Sequence, residues 1–184
     1  MSEYRRTWVP GGTYFITVVT YRRRAMLTSD PGRACLRAAW RITQARRPFR
    51  LEAVCVLPDH FHCLLSLPES DRDLSIRVSV LKGVFTKQYL LAGGSDGMRN
   101  CSRFRSGEAA IWQRRFWEHC ICNDTDFANH IDYIHYNPVK HGLVSSAAEW
   151  RWSTFARFHE KGYYASEWGS SEPESLRGFV CGNE

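Results

Sequence analysis

The densest chemistry in the chain lies in Leu57-Pro58-Asp59-His60-Phe61-His62. On a strand, His60 and His62 project side by side from one face while Phe61 points into the opposite layer. Two neutral imidazoles at that spacing can grip one metal ion. His-x-His alone describes two surface histidines equally well, so the pair needs a third donor from another element. The stretch from Asp124 to Asn137 offers one. Read as a helix, it carries Phe127, Ile131 and Ile134 as an apolar stripe, with His130, Tyr133 and Asn137 on the adjoining flank. Tyr136 falls on the far side and should face solvent. Tyr133 and Asn137 sit one helical turn apart and are surface neighbours. An amide oxygen can ligate a metal and a phenol can act as a nucleophile. The plain alternative is an amphipathic helix with a tyrosine at its boundary and an Asn-Pro stop. Proline pushes the residue before it out of the helical region, so Pro138 and Gly142 should end this helix near Asn137.

The charge pattern points toward a polyanion. Of 184 residues, 25 are Lys or Arg and 19 are Asp or Glu, a net charge of +6. Residues 1–50 hold eleven Arg and no Lys, against only Glu3 and Asp30. Guanidinium forks match phosphate oxygens and stack on bases better than ammonium groups do. Several arginines interleave with aromatics: Arg5 and Arg6 before Trp8, Arg22, Arg23 and Arg24 after Tyr21, and Arg114 and Arg115 between Trp112 and Trp117. With Lys82 they make a candidate DNA-binding set, because base–aromatic stacking and phosphate pairing together give a single-strand track. Ordinary solvated surface is the bland alternative. Phe116 and Trp117, beside a predicted strand, read better as core.

These side chains need a scaffold. Thr13 to Tyr21 alternates and is β-branched, a strand. Asp30-Pro31 starts a helix with Asp30 as its cap, and Cys35, Ala38, Ala39 and Ile42 form its stripe. Leu51 to Leu57 and His60 to Leu67 form a hairpin around Pro58-Asp59. Leu74 to Leu91 is a second helix with Leu81, Val84, Phe85 and Tyr89 inward. Gly93 to Gly107 reads as loop, and Phe116 to Cys122 as a fourth strand. The order β-α-β-β-α-β-α predicts an α+β, ferredoxin-like (split βαβ) sandwich: a four-stranded antiparallel sheet with helices on one face. Residues 146–184, rich in Trp and Ser and then acidic, read as an appendage packed on a domain of residues 1–145 or partly mobile.

Composition removes other classes. A chain 43% hydrophobic can build a core, and no apolar run approaches the ~20 residues of a membrane helix. Met1 to Trp8 lacks an apolar signal-peptide centre. Seven cysteines without a Cys-x-x-Cys pair suit free thiols in a reducing cytoplasm. His119-Cys120-Ile121-Cys122 has no second Cys pair to complete a zinc site, so buried free cysteines are the simpler account.

The motifs also carry a resemblance. His60-Phe61-His62 resembles the HUH motif. Tyr133-Ile134-His135-Tyr136-Asn137-Pro138-Val139-Lys140-His141-Gly142-Leu143-Val144 resembles the tyrosine motif of the REP-associated tyrosine transposases, relatives of the single-strand HUH transposases of bacterial insertion sequences. Trp112 to His119 and Gly11 to Phe15 are similar to further family segments. The resemblance implies a ferredoxin-like fold, a metal held by His60, His62 and Asn137, and Tyr133 as nucleophile. It implies Mg or Mn, although two imidazoles and an amide would by softness suit Zn or Mn. The activity expected is that of a metal-dependent single-stranded DNA endonuclease and strand transferase. It would bind palindromic hairpins and cleave through a covalent 5′-phosphotyrosine. A phenol titrates near pH ~10, so Tyr133 needs help, and His130 is a candidate base. The protein is expected to be cytoplasmic and nucleoid-associated, a monomer with a homodimer as the alternative. The rival reading is a non-catalytic hairpin-DNA-binding protein or repressor on the same fold.

Overall fold

In the computed structural model, which describes residues 9–179 and 181, the alternating run Thr13–Val19 forms the inner strand β1. β2 (Arg50–Val56), β3 (His60–Ser66) and β4 (Trp117–Cys120) complete a four-stranded sheet in the order β2-β3-β1-β4. Every neighbouring pair is antiparallel. β1 and β2 therefore run parallel with β3 between them, which is the split βαβ arrangement of a ferredoxin-like sandwich. α1 (Asp30–Arg46) makes the crossover and α2 (Leu74–Leu91) packs beside it. Together they cover one sheet face, where Ile16, Val18, Phe61 and Cys63 meet Leu36, Ala39, Leu81 and Phe85.

The cap of α1 lies one residue earlier than Asp30. Ser29 Oγ accepts from the Gly32 N–H at 3.2 Å, and Pro31 takes the first turn, where its missing donor costs nothing. Gly32 is fixed by close approach, since a Cβ there would lie 1.9 Å from the Met26 carbonyl. A short helix, α3 (Cys101–Arg105), occurs within the stretch read as loop, capped by Asn100. Five residues are too few to show a helical period.

The second sheet face is covered too. β3 is buried from His60 through Leu65, which only a two-sided sheet allows. α4 (Asp124–Lys140) lies over β2 and β3. Residues between Ala147 and Cys181, including Phe155 of α5 (Phe155–Glu160), join it around Phe15, Cys55 and Leu64. The segment after α4 also pairs with the free edge of β2: the Val56 N–H donates to the Trp152 carbonyl at 2.8 Å, and the Thr154 N–H to Val54 at 2.9 Å. That covers an otherwise exposed strand edge. Tyr136, expected to face solvent, is half-buried because this segment packs over it.

α4 does not stop at Asn137. It runs through Pro138 to Lys140, since proline deletes one helical bond and the rest of the turn survives. The helix ends where Gly142 adopts a φ of 65° and the Leu143 N–H reaches back to the Pro138 carbonyl at 2.9 Å. All seven cysteines are free thiols. Cys122 is exposed rather than buried, because β4 ends at Cys120 and the chain turns outward into the cap of α4. No described helix is long and apolar enough to cross a membrane.

Candidate active site

The Pro58-Asp59 turn is clamped from both sides. The Thr20 N–H donates to the Asp59 carbonyl at 2.8 Å, and the Met26 and Leu27 N–H groups reach the Pro58 carbonyl at 2.8 and 2.9 Å. From this fixed turn His60 and His62 emerge on the sheet face that α4 covers, with ring centroids 4.8 Å apart. Each has its other nitrogen engaged. His62 Nδ1 lies 2.8 Å from Thr17 Oγ1 on the neighbouring strand. His60 Nδ1 lies 2.6 Å from Asp59 Oδ1. A carboxylate only accepts, so His60 carries its proton on Nδ1 and turns the Nε2 lone pair toward the site. Burial alone would raise the Asp59 pKa. Hydrogen bonds from His60 and Arg23 outweigh it and hold the carboxyl below its ordinary value.

α4 supplies the remaining groups from the same chain. Tyr133 is only 5% exposed, with its ring 5.5 Å from that of His62 and 5.8 Å from Phe15. Asn137 is wholly buried, and among the described residues neither its Oδ1 nor its Nδ2 has a hydrogen-bond partner; nor does His60 Nε2. Each such orphan costs about 1–3 kcal/mol, and native interiors hold few of them. A cation can take up the Asn137 oxygen and the His60 lone pair together, so this donor set fits a metal. The Tyr133 hydroxyl accepts a hydrogen bond from Lys140 Nζ at 3.1 Å. His141 brings its ring within 5.2 Å of His60. Lys140 and His141 lie within the tyrosine motif but carry no predicted role, because a helix ending at Asn137 would not bring them over the site. The basic last turn was the available signal.

His130 is turned elsewhere. Its Nδ1 donates to the Asp126 carbonyl at 2.8 Å, and its ring stacks on His119 at 4.7 Å. Burial, more than its bonds to Asp126 offset, pushes its pKa below the ordinary value. Phe15 touches both His130 and His62. Glu118 pairs with Ile16 in the sheet register and is buried on the α1–α2 side, away from His62.

The basic residues divide. Arg5 and Arg6, with Trp8, lie outside the described residues. Arg22 and Arg23 follow β1 with φ of 55° and 50°, a conformation that bulky residues rarely hold. Both are exposed, and Arg23 bonds Asp59 at 3.2 Å. Arg115 is exposed as well. Arg24 donates instead to the Ala110 and Ser95 carbonyls. Arg114 is paired with Glu108 and Ser102. Lys82 donates to the carbonyls of Gln113 at 2.6 Å and Arg114 at 3.1 Å, and burial pushes its pKa down to about 8. Trp112 belongs to the core, only 4% exposed.

The chain is similar to known proteins over most of its length. Residues 9–137 match the family described as "Transposase IS200 like". A Haemophilus influenzae protein, provisionally named a REP-associated tyrosine transposase, is 42% identical over 180 residues, 98% of this chain and 100% of its own. The REP-associated tyrosine transposase of Escherichia coli K12 is 40% identical over 168 residues, 91% of each chain. A solved structure of a REP-associated tyrosine transposase bound to a REP hairpin superposes with a TM-score of 0.74 at 39% identity, covering 95% of this chain and 96% of that one. With matches of this length and identity around one buried histidine–tyrosine–asparagine site, the chain belongs to the IS200-like transposases and, among them, to the REP-associated tyrosine transposases.

Proposed function

We propose that the protein cleaves and rejoins single-stranded DNA at palindromic hairpins, with Tyr133 as the nucleophile. The observation that carries this reading is the meeting of Tyr133 and His62 at 5.5 Å within one chain, beside the orphaned donors of His60 and Asn137. Tyr133 Oη gives up its proton to water and attacks the phosphorus as the P–O3′ bond breaks. The 5′ phosphate stays on the tyrosine, and the departing 3′ oxygen takes up a proton. The phosphodiester energy is kept in the new bond, so rejoining needs no nucleotide cofactor. His60, oriented by Asp59, and His62, oriented by Thr17, would hold Mg or Mn together with Asn137. When bound, that ion supplies charge stabilisation at the scissile phosphate. Lys140 stabilises the charge left on the Tyr133 oxygen as its proton departs.

The solved relative bound to a REP hairpin supports hairpin DNA as the substrate, and Arg22, Arg23 and Arg115 of the predicted set are exposed and suited to its phosphates. A site complete in one chain favours a monomer over a dimer with its tyrosine in trans. In this reading the protein works at the nucleoid in the cytoplasm. In the same reading a domain of residues 1–145 carries the chemistry, and the described residues of the appendage 146–184 back α4.

The test is incubation of labelled REP-type hairpin DNA with Mn²⁺, read as a covalent adduct on a denaturing gel. The adduct is expected with the native chain and absent with Tyr133→Phe or after chelation. An adduct that persists in Tyr133→Phe overturns the choice of nucleophile. Cleavage without any adduct would mark a water-using phosphodiesterase, and tight binding without cleavage would mark a repressor.

A further inference from the structure

We infer that His119, Cys122 and Asp126 form a second metal site, for zinc or another thiophilic divalent cation, where β4 passes into α4. His119 Nε2, Cys122 Sγ and an Asp126 carboxylate oxygen all lie within 4.8 Å of one another. An imidazole, a thiolate and a carboxylate are zinc's three protein ligand types, and the thiolate selects against Mg and Mn. The three donors sit on a rigid junction. Asn123 caps α4 by accepting the Asp126 N–H at 2.9 Å, and the Cys122 N–H donates to Asp126 Oδ2 at 2.9 Å. His119 Nε2 already lies 2.8 Å from the same oxygen. An ion would displace the Cys122 thiol proton to solvent, and the His119 ring would carry its proton on Nδ1, leaving the Nε2 lone pair and the Asp126 oxygen for the metal. His130 Nδ1, 2.9 Å from Asp126 Oδ1, is the outer partner that fixes the carboxylate.

Access and charge both allow it. Cys122 is exposed, and His119 and Asp126 are half-buried, so an ion can enter and a fourth position stays open to water. The positive end of α4 opposes a cation with about half a charge, against two full negative charges on Asp126 and a Cys122 thiolate. The site shares no residue with His60, His62 and Asn137, and its sulfur donor gives it a different metal preference. It would tie the sheet to the first turn of the helix that carries Tyr133.

The sulfur also gives a readout independent of DNA cleavage. The full chain, stripped of metal, is titrated with Co²⁺ and followed by absorption. A thiolate-to-cobalt charge-transfer band saturating at one equivalent, and bleached by Zn²⁺, is expected. It should survive in a His60→Ala/His62→Ala double variant and vanish in Cys122→Ser, whose exposed side chain puts folding at little risk. His119→Gln should weaken Co²⁺ retention at least about tenfold. No band in the native chain overturns the assignment. So does a band that persists in Cys122→Ser, or one lost with His60 and His62.

Discussion

Lys140 stands two helical turns beyond Tyr133 on α4, and its ammonium donates to the Tyr133 oxygen at 3.1 Å while lying 4.6 Å from the ring centroid. This contact exists because the helix continues through Pro138. A hydrogen bond from a charged donor is worth ~1.5–3 kcal/mol, most of it realised when the tyrosine oxygen gains negative charge. Lys140→Gln should therefore slow adduct formation by about 10- to 100-fold, with hairpin affinity changed little. Single-turnover rates against hairpin Kd make the separation. An affinity loss matching the rate loss would mean that Lys140 holds DNA instead.

Asn137 would set stability against the proposed function. Its amide is fully buried, and neither polar atom is partnered among the described residues. Leucine has a similar volume and no polar atoms to desolvate. Asn137→Leu should raise unfolding stability in chelator by about 1–2 kcal/mol while abolishing metal-dependent cleavage. Urea unfolding with and without Mn²⁺ measures both. A variant less stable than the native chain in chelator would mean that the amide is already satisfied.

Asp59 acts through His60 and touches no substrate in this scheme. Asp59→Asn keeps the shape but loses the carboxylate that fixes the His60 tautomer. Outer partners of this kind are worth about 10- to 100-fold in metal affinity. The Mn²⁺ concentration for half-maximal cleavage should rise by that factor, with the rate recovering at saturating metal. A loss of maximal rate that excess Mn²⁺ does not restore would show a different role.

How much of this could be read from the sequence follows from periodicity. His60 and His62 share a face because strands repeat every two residues, and Tyr133 and Asn137 share a flank because helices repeat every 3.6. The β-α-β-β-α-β-α order carried the sheet topology for the same reason. What escaped has no period. Trp150, Phe155, Tyr164 and Trp168 cover the second sheet face through tertiary packing, with no stripe in sequence to announce them. Lys140 was hidden by a rule about proline that is a tendency, and here the packing of α4 on the sheet outweighs it. His119, Cys122 and Asp126 lie on a strand end, a turn and a helix start, where no single repeat relates them.

His135 gives the fold an acid limit. It is fully buried, with Nδ1 3.0 Å from the Tyr164 hydroxyl and Nε2 2.9 Å from Thr154 Oγ1. The Tyr164 hydroxyl in turn donates to Asp132 at 2.9 Å, so this one histidine links α4 to the segment that backs it. Burial, with some repulsion from Arg157, pushes the His135 pKa down to about 3. The unfolded chain binds the proton near pH ~6.5. Above that value both states are neutral at this group and its contribution is complete. As the pH falls below it, the unfolded state gains a proton that the native state refuses. Stability then drops by up to ~1.4 kcal/mol per pH unit until the folded pKa is reached. His135→Gln is expected to be less stable near neutrality and to show a shallower acid slope. Urea midpoints from about pH 7 down to about pH 4, compared between the two chains, isolate the difference. Equal slopes would mean that His135 is protonated in the folded protein and that the acid limit belongs to other groups.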